Sequence, residues 1–140
     1  MLPKDGPPVL AAGGLATGSQ VAYFLALGAA GAVLGTRFLM TPESLYSDAQ
    51  KKVLVAAKSD MTVRTMAFDL ARGTLDWPAG VDGRAIYNDT VRDVDDGVDI
   101  EIVKEKFQAG VRDGNPDRML VWSGMGVGLV SEIKDAEVSF

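Results

Sequence analysis

The sequence carries no charged residue from Gly6 to Thr36, and glycines interrupt this apolar stretch at several points. Three structures fit such a stretch: a membrane-spanning helix, a buried core segment, or a strand–helix–strand unit with glycine turns. About 20 apolar residues are enough to span a bilayer, so length alone does not decide. However, Gly13-Gly14 and the run at 16–20 break the apolar pattern, and neither an aromatic belt nor a basic cluster flanks it. We therefore expect no membrane span.

The same stretch divides into segments with strand and helix patterns. Residues 9–12 form a short apolar run before a glycine pair, which is typical of a buried strand followed by a tight turn. Thr17 and Gln20 have the T-x-x-Q spacing of a capping box, so a helix begins there, and Gly28 supplies a left-handed residue to end it. Residues 32–34 form a second apolar run. Two strands joined by a helix of about ten residues predict a parallel βαβ unit whose sheet is covered on both faces.

Glycine follows both predicted strands, at Gly13-Gly14 and at Gly35-Thr36. Because the carboxyl ends of neighbouring parallel strands meet at one edge, we expect the two turns to lie together. Backbone amides with no side chain in the way, beside a helix N-terminus, suit a phosphate group. Tight turns in a closely packed region are an equally good interpretation, because glycine commonly follows a strand. Neither GxGxxG nor GxxxxGK[ST] occurs, so nothing indicates a Rossmann or P-loop site.

The composition limits the chemistry that the chain can perform. With no cysteine and no histidine, it excludes disulfides, thiolate and imidazole metal ligands, and nucleophiles activated by histidine. A net charge of −5 gives no basic surface for nucleic acid. Pro3 and Asp5 spoil any signal-peptide pattern, and residues 3–6 have the composition of an internal loop. We therefore predict a cytoplasmic or organelle-matrix chain with no nucleic-acid partner and no metal site, in which any acid–base chemistry would have to use carboxylates, lysine or tyrosine.

The run PVLAAGGLATGSQVAYFLALGAAGAVLGTRFLMTPES, at residues 8–44, resembles the seventh and eighth βα units of the nitronate monooxygenase family. The run PDRMLVWSGMGVGLVSEIKDAEV, at residues 116–138, resembles the closing segment of the same family. Members of this family are FMN-dependent (β/α)8 barrels, the TIM-barrel class of α/β fold. The resemblance therefore implies the last two βα units of such a barrel with a helical C-terminal extension.

The resemblance also implies which residues bind the cofactor. Gly13 and Gly14 match the turn whose backbone holds the FMN phosphate. The second phosphate-binding strand end of the family matches Val33, Leu34, Gly35 and Thr36. The donors there would be the Gly35 amide and the amide or hydroxyl of Thr36. A small nitronate substrate and the catalytic base would belong to earlier units, so this chain would be an inactive fragment of a longer enzyme.

The implied function is the FMN-binding segment of a flavoenzyme that oxidises alkyl nitronates with O₂ to a carbonyl compound and nitrite. Two alternatives stay open. One is a non-enzymatic remnant or interaction module, and the other is a piece of a related FMN-dependent enoyl reductase, which shares the same phosphate end.

We predict one partial domain over residues 1–140. It comprises an FMN-phosphate-binding βαβ unit at 8–40, a covering helix at 41–60, connecting loops at 61–97 and C-terminal helices at 98–140.

The covering helix is expected to begin at Thr41 and to turn one face to the core, with Lys51 and Lys52 outward. Its predicted core residues are Leu45, Ala49, Val53 and Ala56.

Three further features allow two interpretations each. The acidic run from Asp93 to Glu101 could bind calcium, but its glycine is misplaced for an EF-hand, so we expect an acidic helix cap with Ile100, Val103 and Phe107 facing the core. Trp77 is expected to be a buried anchor rather than a substrate platform. The alternating glycines of the closing segment would permit either close approach to a flavin or close packing: Gly124, Gly126 and Gly128.

Overall fold

A computed structural model describes residues 6–138. The predictions for residues 3–5 and for 139–140 lie outside the described residues. The strands are β1 (Leu10–Ala12), β2 (Gly31–Val33), β3 (Thr62–Thr65) and β4 (Gly83–Ile86). The helices are α1 (Gly18–Ala26), α2 (Thr36–Leu39), α3 (Asp48–Ala56), α4 (Ala67–Arg72), α5 (Asp89–Asp95) and α6 (Ile100–Asp113). Short 3₁₀ turns occupy Ser59–Met61, Met125–Leu129 and Ala136–Val138.

The first strand–helix–strand unit forms as predicted. β1 pairs parallel to β2, with Leu10 opposite Gly31 and Ala12 opposite Val33. The Thr17 side chain accepts the Gln20 amide, and the Gln20 side chain accepts the Thr17 amide, which completes the capping box of α1. The backbone at Gly28, directly after the helix C-cap, has φ +97°, the left-handed geometry that ends a helix.

The β1–α1–β2 unit leaves one face of its sheet and the outer side of α1 open within residues 6–138, while α1 packs against β2. Leu10 and Val33 are more than half exposed, and Tyr23 and Leu27 on or just after α1 are also exposed. No other described strand pairs with β1 or β2. The expectation of a sheet covered on both faces is therefore not met among the described residues, and an exposed apolar two-stranded sheet is a poor structure by itself.

The remainder of the chain packs around two hydrophobic clusters. β3 and β4 pair antiparallel, and Trp122 forms an additional antiparallel bridge to Ala85. One cluster lies under α3 and the closing segment and contains Ala16, Met40, Leu54, Ala57, Ile86, Val121, Val127 and Val130. The other joins α4, α5 and α6 through Ala67, Phe68, Ala71, Ala85, Val91, Val103 and Phe107. The mixed α/β class is thus confirmed.

The covering helix predicted at 41–60 is shorter and begins later. The Thr41 hydroxyl donates to the Phe38 carbonyl, 3.1 Å away, so Thr41 closes α2 instead of opening α3. Ser47 caps α3 through a reciprocal box with Gln50, because that pair satisfies two backbone donors at once. Leu45 consequently lies outside the helix and is fully exposed, and the buried residues of α3 are Lys51 and Leu54.

The prediction of connecting loops at 61–97 is wrong, since this segment contains β3, α4, β4 and α5. β3 and β4 are short, polar and stabilised by pairing with each other, which local periodicity does not reveal. At 98–140, α6 is the helix of the predicted C-terminal part, whereas the closing segment is extended backbone with 3₁₀ turns.

The acidic segment caps a helix, as predicted. The Asp99 side chain accepts the Glu101 amide at the start of α6, and Val103 and Phe107 are buried. Asp93 lies under α6, where Lys106 and Arg118 both donate to its carboxylate. Among residues 6–138, no cluster of acidic side chains has the arrangement of a metal site. In the same part of the chain, no helix has the length and apolar character needed to cross a bilayer.

Candidate functional site

Three glycine-containing segments converge at the carboxyl ends of β1 and β2. The turn after β1 contains Gly13 and Gly14, and the turn after β2 leads through Gly35 into α2. The closing segment crosses both turns, because the Gly124 amide donates to the Thr36 hydroxyl oxygen at 2.8 Å. We call this meeting point the glycine cradle: Gly13, Gly14, Gly35, Thr36 and Gly124. The two turns predicted to lie together are therefore adjacent.

Open space lies beside the turn glycines of the cradle. A Cβ built on Gly13, Gly14 or Gly35 would meet no heavy atom within 4 Å. Gly13 and Gly14 have φ of +87° and +72°, backbone angles that residues other than glycine rarely adopt. The cradle thus leaves unfilled room beside its turn glycines, and a bound phosphate group requires such room together with backbone amide donors.

Thr36 connects the cradle to the closing segment. Its side chain is buried, and its oxygen accepts the Gly124 amide, so the hydroxyl hydrogen is the part left to donate. Val33 and Leu34 lie at the end of β2 directly before this turn, and Val33 is half exposed. These two residues lead the backbone from β2 into the cradle, and their side chains are apolar.

The closing segment approaches the first turn so closely at Gly126 that only glycine fits there, because an added Cβ would lie 2.5 Å from the Gly14 carbonyl oxygen. A Cβ on Gly128 would lie 3.2 Å from the Ser59 nitrogen, and one on Gly124 would lie 3.3 Å from the Thr36 hydroxyl oxygen, so both positions are also tightly packed. Close packing is therefore observed at these glycines, and their close approach to a flavin stays a prediction. Met125 between them is exposed.

A depression of about 320 Å³ extends from the cradle towards β4. Its lining adds residues that sequence reasoning did not single out: Leu39, Arg84, Trp122 and Ser123. The Arg84 guanidinium donates to the Thr62 hydroxyl at 3.1 Å, which fixes it beside β3. The sequence gives no local signal for this depression, because its walls come from segments distant in the chain.

Trp122 is held at this depression by contacts of both its ring and its backbone. Its ring packs edge-on against Phe68, with centroids 6.3 Å apart, and its backbone amide donates to the Tyr46 hydroxyl at 2.8 Å. Burial raises the pKa of Tyr46 above its ordinary value, and the Trp122 amide partly offsets that rise. Tyr46 is therefore a neutral structural partner of the tryptophan at neutral pH.

Trp77 does not behave as the predicted buried anchor. The side chain is 57% exposed, and its indole nitrogen donates to Asp69 Oδ1 at 3.2 Å. The loop that carries it is thereby fixed to α4 while the ring remains open to solvent.

The fold is that of a mixed α/β protein with a glycine-lined cradle at the carboxyl ends of two parallel strands. The sequence profile of the family described as nitronate monooxygenase matches residues 6–137. The chain belongs to the nitronate monooxygenase family.

Individual relatives agree with this assignment. A nitronate monooxygenase of Metarhizium robertsii, npaC, is 36% identical over 98% of this chain and 40% of its own length. One from Neurospora crassa is 35% identical over 91% of this chain and 34% of its own length. The chain therefore spans 34–40% of the length of these two relatives.

Solved structures share the fold. FabK from Thermotoga maritima superposes with a TM-score of 0.72 at 28% identity, over 96% of this chain and 42% of FabK. A nitroalkane oxidase from Streptomyces ansochromogenes superposes with a TM-score of 0.67 at 30% identity, over 89% of this chain and 35% of the oxidase.

Proposed function

We propose that the glycine cradle binds the phosphate of FMN and that the chain is the cofactor-binding part of a flavoenzyme that oxidises alkyl nitronates. The observation that carries this proposal is the convergence of three glycine segments with open space over Gly13, Gly14 and Gly35. Membership of the nitronate monooxygenase family supports a flavin as the group that fills the space.

Each cradle residue has a role in this proposal. The amides of Gly13, Gly14 and Gly35 would donate to phosphate oxygens, and the Thr36 hydroxyl would add a further donor while the Gly124 amide holds its oxygen in place. The flavin would supply the electron transfer and the reaction with O₂, which yields a carbonyl compound and nitrite. The chain's own contribution is to bind and orient it.

The proposal extends to a longer protein. The β1–α1–β2 unit presents open strand edges and exposed apolar side chains, which further parallel strands of a (β/α)8 barrel would cover. The substrate pocket and the catalytic base would lie on those strands, so we expect this chain alone to be inactive. On this proposal, β1 and β2 would be the last two of the eight barrel strands.

Replacement of Gly14 by leucine tests the cradle assignment. The variant should lose FMN, because the side chain would enter the space beside the turn. Gly73→Leu is a matched control, since Gly73 ends α4 with φ +71° and also has no heavy atom within 4 Å of its built Cβ. Both variants should suffer similar backbone strain, but only the first should lose bound FMN, measured by flavin absorbance per protein after desalting. Equal FMN content in the two variants would overturn the assignment.

A related FMN-dependent enoyl reductase would use the same cradle, and the likeness to FabK is compatible with it. Parallel assays on the full-length protein separate the two reactions. Nitronate consumption with nitrite release supports the proposal, whereas NAD(P)H oxidation dependent on an enoyl thioester supports the alternative. A full-length protein that binds FMN but performs neither reaction would favour a non-enzymatic module.

A further inference from the structure

A second cavity, of about 390 Å³, lies between the loop at 73–82 and the closing segment. Its volume falls within the range of small-molecule sites, which are mostly apolar with a few polar groups. The apolar walls come from Trp77, Val81 and Trp122, and the polar groups are Asp69, Arg72 and Asp82. None of the cradle residues lines it.

The Trp77 wall is fixed although it is exposed. Its indole nitrogen and the Thr74 hydroxyl both donate to Asp69 Oδ1, at 3.2 and 2.8 Å, and Asp69 is 3% exposed. A buried carboxylate therefore holds the loop that presents the ring. More than half of the Trp77 surface is exposed to solvent, so the held loop leaves a large aromatic surface available to a ligand.

The Trp122 wall is equally constrained. A Cβ on Gly83 would lie 2.1 Å from Trp122 Cζ3, so the ring lies directly over the backbone of β4 where only glycine fits. The Phe68 ring also packs edge-on against the Trp122 ring, and the Trp122 backbone amide donates to the Tyr46 hydroxyl. Walls that are ordered before binding reduce the entropy lost when a ligand enters.

The group at this cavity that is left to bind an anion is a guanidinium. Arg64 forms an ion pair with the Asp82 carboxylate, and the buried Asp69 carboxylate, which keeps its negative charge, accepts hydrogen bonds from its two neutral donors. Among residues 6–138, no carboxylate forms an ion pair with Arg72, which lines the cavity from the last turn of α4. A planar guanidinium with free donors recognises carboxylate and similar anions.

We propose that this cavity binds a small aromatic carboxylate, with the ring packed against the two indoles and the carboxylate at Arg72. The site is separate from the glycine cradle and does not depend on a bound flavin. Trp122 lines both this cavity and the depression beside the cradle, so an occupant would contact the wall that the two spaces share.

Benzoate is the probe for this site, with benzamide as its uncharged counterpart. Both are titrated into the flavin-free protein labelled with 5-fluorotryptophan, at low salt, and the ¹⁹F signals of the two tryptophans are assigned from Trp77→Phe and Trp122→Phe. We expect benzoate to shift both signals saturably and to bind at least about fivefold more tightly than benzamide, a difference set by the contact with Arg72.

Three variants complete the test. Arg72→Gln should weaken benzoate binding at least about fivefold, whereas Arg112→Gln, an exposed arginine on α6, should leave it unchanged. Trp77→Leu should also weaken it, and this exposed residue belongs to neither hydrophobic cluster. The proposal is overturned if benzoate shifts neither tryptophan signal, if benzamide binds equally well, or if Trp77→Leu keeps the original affinity.

Discussion

Replacement of Gly126 by alanine should weaken FMN binding through a contact made entirely by the protein. The added Cβ would lie 2.5 Å from the Gly14 carbonyl oxygen, 3.0 Å from the Gly14 carbonyl carbon and 3.3 Å from the Ala16 Cβ. Backbone atoms line this contact, so no side-chain rotation relieves it. The closing segment or the first cradle turn must move apart by nearly an ångström to restore ordinary van der Waals distances.

The size of the effect follows from this displacement. Overpacking of this kind costs about 1–3 kcal/mol of unfolding free energy. Gly124 and Thr36 share a hydrogen bond only two residues from the clash, so the same movement shifts a cradle donor. If 1 kcal/mol of the strain falls on the bound state, the FMN dissociation constant rises roughly fivefold, and 3 kcal/mol raises it over a hundredfold.

Urea unfolding measures the first quantity, and fluorescence titration of FMN measures the second. Gly128→Ala is the control, because its Cβ would press on Ser59 and Lys58 instead of the cradle. We expect that control to lose some stability while its FMN affinity stays within twofold of the unmodified protein. A Gly126→Ala protein with unchanged stability and unchanged FMN affinity would refute the reasoning.

Two other substitutions test the packing of the C-terminal part. Hydrogen bonding from Arg118 holds the pKa of Asp93 below its ordinary value of 3.8. The stability that the ionised Asp93 carboxylate contributes is therefore complete above pH 3.8 and is lost as the pH falls through the lowered pKa. Asp93→Asn should therefore cost about 1.5–3 kcal/mol at pH 7 by urea unfolding, with the exposed Asp95→Asn as control; a loss that is undiminished at the lowest pH where both proteins fold would contradict this account. Gly83→Ala should cost about 1–3 kcal/mol by overpacking and should alter the emission of Trp122, and an unchanged spectrum with unchanged stability would show that the ring adapts freely.

The β1–α1–β2 unit could be predicted from the sequence because its signals are local. Thr17 and Gln20 specify the start of a helix by their own hydrogen bonds, and Gly13, Gly14 and Gly28 mark positions with positive φ. Each of these signals depends on residues within one or two turns of the chain. The position of the cradle then follows from the parallel arrangement of the two strands.

Competition between signals explains the misplaced start of α3. Thr41-Pro42-Glu43 and Ser47-x-x-Gln50 are both acceptable helix starts in the sequence. The Thr41 hydroxyl is used by the carbonyl of Phe38, which leaves the second start to form the helix. That choice depends on the short helix α2, which the sequence pattern did not indicate.

The region at 61–97 depends on contacts between distant residues. β3 and β4 are separated by α4 and a loop, and neither strand alternates clearly between apolar and polar residues. The contact of Gly83 with Trp122 and the bond from Trp122 to Tyr46 join segments far apart in the chain. No local pattern encodes such contacts, so the second cavity and the exposure of Trp77 were also beyond sequence reasoning.

The open β1–α1–β2 unit has a consequence for the order in which parts of the protein unfold. Its principal contacts are internal, and it meets the rest of the chain at Ala16, which belongs to the first hydrophobic cluster, and at the crossing of the closing segment. A unit attached over so small an area can open by itself, with amide hydrogen exchange faster there than in α4 or α6. A ligand in the cradle would contact the unit and the closing segment together, so its binding free energy would oppose this opening. Occupancy of the cradle and local folding would then be a single coupled equilibrium.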